Sequence, residues 1–501
     1  MIELQYGAQS AKPRQDEAMR RFRSHRLGQF IHWGLYALPG GLWEGRSYPF
    51  AAEFLSQTAT VPEAEWAQLA GQFLAENFDA AQWAGQARTM GMRYATFTTK
   101  HHEGFCLWPS ELTDFHVGNT PFGRDALGEL VAAYQAEGID VYLYYSVLDW
   151  HHPDWRYRLD TDDDAAAFDR YLAFALGQLE ELATRYPGVK GFWFDGTWDE
   201  SVKANGAWTL HVEQRLKELL PGAIVSSRLR ADDLGARHRD SNGVLMGDYE
   251  SGYERRLPDP WDRRVTATDW EACMTIPQAT WGFHRGAWAA ETVKHPWDLV
   301  DMLAHCTSLG GNLLINFGPR GDGTLAANEL RVGQAIGRWL TENGEAIYGC
   351  GVAEAWSYPG WGYYTSPLDV GSPGGGDSDQ SRVYALVTKI PASGRIRLML
   401  PAGTVLEECW PLAEAGTGFR RKEVEPGIAE LDLGSCLGSA YRDGPLVFAL
   451  TTLRLEAAGS RHHSHPPSDR AGSGPDKSPH VTAGGSPDEG DWKEPNPDMV
   501  N

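Results

Sequence analysis

Cysteine is scarce in this chain. Six occur in 501 residues, at positions 106, 273, 306, 350, 409 and 436. None forms a close C-x-x-C pair, which excludes a zinc knuckle and a thioredoxin-like motif. An even count does not require disulfides in a chain this long, and reduced thiols fit a cytoplasmic protein. Long apolar runs are missing as well. No stretch of about twenty apolar residues exists, so no membrane-spanning helix is predicted. The opening MIELQYGAQSAKPRQDEAMRR is polar and lacks the apolar core of a secretory leader, which again predicts a cytoplasmic location. Positive charge is in deficit, with 45 Lys and Arg against 67 Asp and Glu, a formal charge of −22. Nothing supplies a broad basic face, so nucleic acid is excluded as a partner, and the acidity reads as solubility. Neither G-x-G-x-x-G nor a P-loop is present to bind a nucleotide cofactor.

What is present is 42% hydrophobic and 22% charged residues, the balance of a soluble globular enzyme with room for a large domain and a second one. Twenty Trp is a high count. Indole rings stack on the C–H faces of sugars, but they also fill cores.

From about residue 25 to 345, short apolar runs alternate with amphipathic stretches. Strands are predicted at Phe30-Ile31, Tyr94 to Thr99, Val141 to Tyr145, Phe192 to Phe194, Ala223 to Val225 and Leu313 to Ile315. Helices are predicted at Ala80 to Met90, Ala126 to Ala136, Ala165 to Arg185, Val212 to Leu220 and Ala326 to Ile347. Glycines follow the helices that precede GMRYATF and GIDVYLYYS, the usual C-cap chemistry. Repeated βα units of this length imply a parallel sheet, and over some 320 residues a (β/α)8-like, TIM-type barrel. From about 350 to 457 the pattern turns to alternating runs split by Gly, Pro and Ser, as in an antiparallel β-sandwich. Beyond that the chain lacks the apolar residues to offset ordering entropy. The expected division is therefore a catalytic barrel over 1–348, a sandwich over 349–457 and a disordered tail over 458–501. His462, His463 and His465 fall in that tail and read as incidental.

The segment Gly191-Phe192-Trp193-Phe194-Asp195-Gly196 carries the most chemical information. A short apolar run ends in a carboxylate followed by glycine. An Asp at the carboxyl end of a buried parallel strand sits where barrel enzymes place catalytic groups. By itself it could equally start a turn or cap a helix. Other predicted strands also end in polar groups: His32 in FIHWG, His101 and His102 in TKHHEGF, Tyr145 in YYSVLDW, and Arg228 after Ala223 to Val225. Singly these are a surface pair, a packing residue or an ion-pair partner. Jointly they describe an active-site mouth. Imidazoles and a guanidinium suit hydroxyl groups, and Trp33, Trp108 and Trp193 offer apolar faces. Glycoside hydrolysis needs a second carboxyl group. Glu250, Glu254 and Glu271 are candidates between which the residues alone do not choose.

In combination and in order, FIHWGLYALPG, AEF…VPEAEWAQLAGQF…FDAAQWAGQARTMGMRYATFTTKHHEGF, DVYLYYSVLDW, GFWFDG, WEACMTI…TWGF and GGNLLINFGPRGDG resemble glycoside hydrolase family 29, the retaining α-L-fucosidases. The likeness spans roughly residues 15 to 345. It implies a barrel followed by a β-sandwich, with Asp195 as nucleophile in the family's W-x-D pattern. It implies that His32, His101, His102, Tyr145, Trp193 and Arg228 hold fucose. Glu53 matches a sugar-contacting Glu in members with the dipeptide EW, and here Phe54 replaces that Trp. The acid/base is expected at Glu254 in GDYESGYERRLP, then at Glu271, then at Glu250. No cofactor and no metal are implied, and the partner is a fucosylated oligosaccharide or glycoconjugate. The rival readings are a metal-dependent barrel hydrolase, with His32, His101, His102 and Asp195 around an ion, and a catalytically inactive fucose-binding relative. Against the first, adjacent histidines rarely converge on one ion.

Overall fold

The computed structural model describes residues 13–368, 380–414, 421–435 and 444–454. The expected tail, 458–501, lies outside the described residues. Eight strands form one parallel sheet: β1 (Leu27–Ile31), β2 (Tyr94–Lys100), β3 (Asp140–Ser146), β4 (Gly191–Asp195), β5 (Ile224–Val225), β6 (Glu250–Glu254), β7 (Trp270–Thr275) and β8 (Asn312–Phe317). Their hydrogen-bonded order is β5-β4-β3-β2-β1-β8-β7-β6, which is chain order wrapped so that β1 meets β8. The two edges also meet. Asp248 N–H donates to Val225 O at 2.9 Å and Ser227 N–H to Tyr249 O at 3.1 Å, and a parallel bridge joins Ser226 to Tyr249. The sheet is therefore a closed barrel. Helices over Ala80–Thr89, Ala126–Ala136, Asp162–Arg185, Gly206–Leu219 and Pro296–Ser308 lie between the strands in sequence, and one over Ala327–Asn343 follows β8.

Strand pleating sorts the side chains into two cores. Phe30, Tyr94, Tyr142, Tyr144, Trp193, Ile224, Tyr249, Cys273 and Leu314 point inward and form one buried cluster. Leu27, Ile31, Phe97, Val141, Leu143, Tyr145, Phe192, Phe194 and Ile315 point outward and pack with the helices. Gly28 makes the crowded interior possible, because a Cβ there would stand 2.4 Å from the Tyr94 ring.

The seam between β5 and β6 has few strand hydrogen bonds and is backed by buried charge. The Asp248 carboxylate accepts the Val225 N–H at 2.8 Å and pairs with Arg14 and Lys217, each at 2.9 Å. Lys217 also reaches Glu213 at 2.7 Å, and Glu213 reaches Arg230 at 2.6 Å. Each ion is paired, as buried charge requires.

Two antiparallel sheets follow. One comprises β9 (Cys350–Val352), β10 (Gly362–Pro367), β11 (Gln380–Val387), β13 (Thr404–Pro411) and β16 (Leu446–Arg454); the other comprises β12 (Arg395–Met399), β14 (Arg421–Glu425) and β15 (Ile428–Asp432). Alternation again divides the larger sheet. Val383, Ala385, Val387, Phe448 and Leu450 face Ile396, Leu398, Ala429 and Leu431 of the smaller sheet. Tyr384, Leu386, Val447 and Ala449 join the barrel's outer core, where Trp339 Nε1 donates to Pro445 O at 2.8 Å. Among the described residues no helix is long and apolar enough to cross a membrane.

Candidate active site

The inward positions at the carboxyl ends of the strands converge on Asp195, the last residue of β4. Gly196 follows with φ +70°, a left-handed conformation that lets the chain turn away at once. Arg228 donates from NH1 to Asp195 Oδ1 at 2.9 Å, and the Tyr144 hydroxyl donates to Oδ2 at 3.0 Å. Burial works to raise the Asp195 carboxyl. The charge of Arg228, then His102 and the Tyr144 hydrogen bond, outweigh burial and hold it below its ordinary value. Arg228 also donates from NH2 to Glu254 Oε2 and from Nε to Ser251 O at 3.2 Å, and its guanidinium lies 4.7 Å from the Trp193 ring. One guanidinium thus binds two carboxylates, Asp195 and Glu254, at the ends of β4 and β6. Arg255 follows Glu254 in a left-handed conformation, φ 51°.

The histidines line the same mouth as neutral imidazoles. Burial lowers His32 to about 3 and His102 to about 4, and takes His101 well below its ordinary value. Their tautomers follow from their neighbours. Asn316 donates from Nδ2 to Trp281 O at 2.7 Å, so its Oδ1 accepts the Nδ1–H of His32, also at 2.7 Å. Ser146 donates to Leu148 O at 2.6 Å, so its Oγ accepts the Nδ1–H of His102 at 2.7 Å. Each imidazole then keeps an Nε2 lone pair. That of His102 lies 3.8 Å from Asp195 Oδ2. Two acceptors face each other there, an arrangement that an O–H donor would satisfy. His101 Nδ1 is buried without a hydrogen-bond partner, and the ring stacks on Tyr144 at 5.5 Å and 4°. Phe30, Trp193 and Trp281 close the floor, and Phe54, Trp150 and Trp198 stand around His102 at 5.3–5.4 Å.

His32, His101, His102, Trp193, Asp195, Arg228 and Glu254 therefore come together. Tyr145, Trp33, Trp108, Glu250, Glu271 and Glu53 are placed elsewhere. Tyr145 points outward, donating to Gln178 Oε1 at 2.9 Å under the helix Asp162–Arg185, and Tyr144 takes the place expected for it. Trp33 and Trp108 are core rings outside the barrel, donating to Arg320 O at 3.0 Å and Glu181 at 3.1 Å. Glu250 faces the neighbouring loop. Burial alone would raise it, but His238, Arg239 and the Gly252 amide bring it down to about 2. Glu271 is the second residue of β7 and lies in the barrel interior below the mouth. It accepts from Trp193 Nε1 at 3.1 Å and Tyr94 OH at 2.6 Å, and burial raises it to about 7. Glu53 is wholly buried, raised by that burial to about 7, and accepts the amides of Trp281 and Gly282, the latter at 2.8 Å. It secures the loop after β7. Tyr144, Ser146, Asn316 and Trp281 are not singled out from the sequence; the inward parity of β3 selects Tyr144 and Ser146, that of β8 selects Asn316, and Trp281 stands in the loop after β7.

His101, His102 and Asp195 offer ligand atoms within 4.8 Å of one another, so adjacent histidines do converge here. Two imidazoles and a carboxylate would suit zinc. The guanidinium already on Asp195 opposes a cation, however, and Tyr144 takes the other oxygen.

A closed (β/α)8 barrel with two carboxylates on one arginine, beside neutral acceptors for hydroxyl groups, defines a glycoside hydrolase. The alpha-L-fucosidase family profile matches residues 2–345, and the chain belongs to that family. It is 31% identical over 399 residues to an alpha-L-fucosidase of Branchiostoma floridae, covering 75% of this chain and 80% of that one. Against the human tissue alpha-L-fucosidase it is 29% identical over 392 residues, covering 76% and 78%. Among solved structures it is similar to a GH29 alpha-L-fucosidase from Bacteroides thetaiotaomicron, with 49% identity, TM-score 0.83, and coverage of 90% of this chain and 100% of that one. That structure is a covalent intermediate trapped with 2-fluoro-fucosyl fluoride in a Glu-to-Gln variant.

Proposed function

We propose that the protein is an exo-acting α-L-fucosidase that releases terminal α-L-fucose from oligosaccharides or glycoconjugates with retention of configuration. The observation that carries this reading is the Arg228 bridge between Asp195 and Glu254. Retaining glycosidases need two carboxyls about 5–5.5 Å apart, one ionised and one able to give and take a proton. The two terminal nitrogens of one guanidinium hold such a pair close. Asp195, kept ionised by Arg228 and Tyr144, attacks the anomeric carbon. Glu254 gives its proton to the leaving oxygen as the glycosidic bond breaks. The resulting fucosyl–Asp195 ester is hydrolysed by a water whose proton returns to Glu254. His32 and His102 accept sugar hydroxyls through Nε2, and Trp193 and Trp281 supply the apolar floor. The trapped intermediate of the Bacteroides relative supports the covalent step. Two carboxyls complete the cycle, so it requires no cofactor.

Asp195→Gly should abolish hydrolysis of 4-nitrophenyl α-L-fucoside and leave the circular-dichroism spectrum unchanged. Azide should restore turnover as a β-fucosyl azide. Glu254→Ala should lose far more activity on alkyl than on nitrophenyl fucosides, because a good leaving group needs no acid. Near-normal activity of Asp195→Gly without azide would refute the nucleophile assignment. Equal losses of Glu254→Ala on both substrates would refute the acid assignment. Chelator-sensitive activity would favour the metal hydrolase.

A further inference from the structure

Glu271 takes no part in that cycle, yet its carboxylate is tied to the parts that do. Its Oε1 accepts the indole N–H of Trp193 and its Oε2 accepts the Tyr94 hydroxyl, at 3.1 and 2.6 Å, and Tyr249 bonds to it as well. These bonds link strands β2, β4 and β7 inside the barrel. The indole N–H is the one polar atom of a tryptophan side chain. Fixing it fixes how the ring lies. One neighbour of that ring is Tyr144, at 5.5 Å and 17°; another is the Arg228 guanidinium at 4.7 Å. Tyr144 and Arg228 are the two residues that donate to the two oxygens of Asp195. The groups that aim the nucleophile thus both lean on one indole, and Glu271 holds that indole from below.

We infer that Glu271 is a positioning residue that acts through Trp193 to set the orientation of Tyr144 and Arg228 on Asp195. The inference rests on the reading of Asp195 as nucleophile. The sequence invited a different role, acid/base. The geometry opposes it, because both carboxylate oxygens are engaged by barrel-interior donors. A buried carboxylate that only braced the barrel would act on stability. A positioning carboxylate acts on the rate even when the fold survives.

The test is a double-mutant cycle on kcat/KM for nitrophenyl and alkyl α-L-fucosides. Glu271→Ala leaves the Trp193 N–H without its acceptor and should lower kcat/KM about 10–100-fold on both substrates alike. Glu271→Gln keeps a carbonyl that accepts from Trp193, its amide can donate to the Tyr94 oxygen in place of the bond Tyr94 donates now, and it should recover most of that loss. Trp193→Phe removes the N–H, so adding Glu271→Ala to it should cost little more. Multiplicative losses would overturn the inference, since Glu271 would then act independently of Trp193. A loss confined to alkyl fucosides would return Glu271 to the acid role. If Glu271→Ala does not fold, the Glu271→Gln and Trp193→Phe arms still decide: a full loss in Glu271→Gln that Trp193→Phe does not absorb overturns it. Failure of the nucleophile reading would show separately, as hydrolysis by Asp195→Gly without azide.

Discussion

Replacing Arg228 with lysine tests the electrostatics of the site most directly. The guanidinium serves three acceptors: Asp195 at 2.9 Å, Glu254, and Ser251 O at 3.2 Å. An ammonium is a single charge on a flexible stem and cannot hold all three in one geometry. Asp195 would keep the Tyr144 hydroxyl but lose its main counter-charge, and the two carboxylates would face each other without a cation fixed between them. Breaking a buried pair of this kind costs about 3–4 kcal/mol, the lower part of the usual range, because lysine restores some charge. If that cost falls on the transition state, kcat/KM drops about 10²–10³-fold. The pH profile gives an independent readout. Arg228 is the largest influence holding Asp195 down against burial. Weakening it lets burial raise the folded-state pKa, so the acid limb of kcat/KM must move to higher pH. The assay is kcat/KM for 4-nitrophenyl α-L-fucoside across the acid limb. A loss under about threefold together with an unmoved acid limb would sink the reasoning.

Two further outcomes follow from the packing. Tyr144→Phe removes a hydroxyl from Asp195 and should lower kcat/KM about tenfold. Tyr145→Phe loses the bonds of its hydroxyl to Gln178 and Lys100, so it should cost about 1–2 kcal/mol in denaturant unfolding and leave kcat/KM unchanged. The reverse pattern would mean that β3 runs in the other phase. Buried carboxyls set the pH dependence of stability. Burial raises Glu53 and Glu271 to about 7 and Glu103 and Glu329 to about 8. A carboxyl whose folded pKa lies above its unfolded value stabilises fully below the unfolded value and loses that contribution as pH rises through the folded one. Below about pH 6.5 the buried histidines, neutral in the fold, work in the opposite sense, so the thermal midpoint should fall over about pH 7 to 8, and Glu329→Gln should make that fall shallower. A midpoint that rises over that range would contradict the burial of these groups.

The strands that could be read from the sequence were those with apolar side chains on both faces, such as Tyr94 to Thr99 and Val141 to Tyr145. The same property concealed their phase. In VYLYYS both faces are apolar or aromatic, so nothing marks Tyr144 rather than Tyr145 as inward, and a one-residue slip exchanges the mouth for the helix layer. Strands β6 and β7 were not foreseen. ESGYE has no apolar run, because most of it is only half-buried, and WEACMT carries Glu271 and Cys273 on its inner face. Helix starts were read late where the first turn is polar. Asp162–Arg185 begins with three aspartates behind a Thr161 cap, three residues before the apolar face. The carboxylates were legible as residues. What separated Glu254 from Glu250 and Glu271 was which way each points, and that is fixed by strand register rather than composition.

The seam between β5 and β6 has a further implication for how the molecule fails. Its backbone link is short, and its backing charges come from Arg14, the Gly206–Leu219 helix and Asp248, far apart in the chain. A wall segment held by few backbone hydrogen bonds opens at lower free energy than one with a full ladder. Arg228 stands three residues past β5, on the lip of that seam. Hydrogen exchange should find the amides of Val225, Ser227 and Asp248 less protected than those of β2 and β3. Inactivation should then precede global unfolding, because the arginine that joins the two carboxylates rides on the part of the wall that parts first.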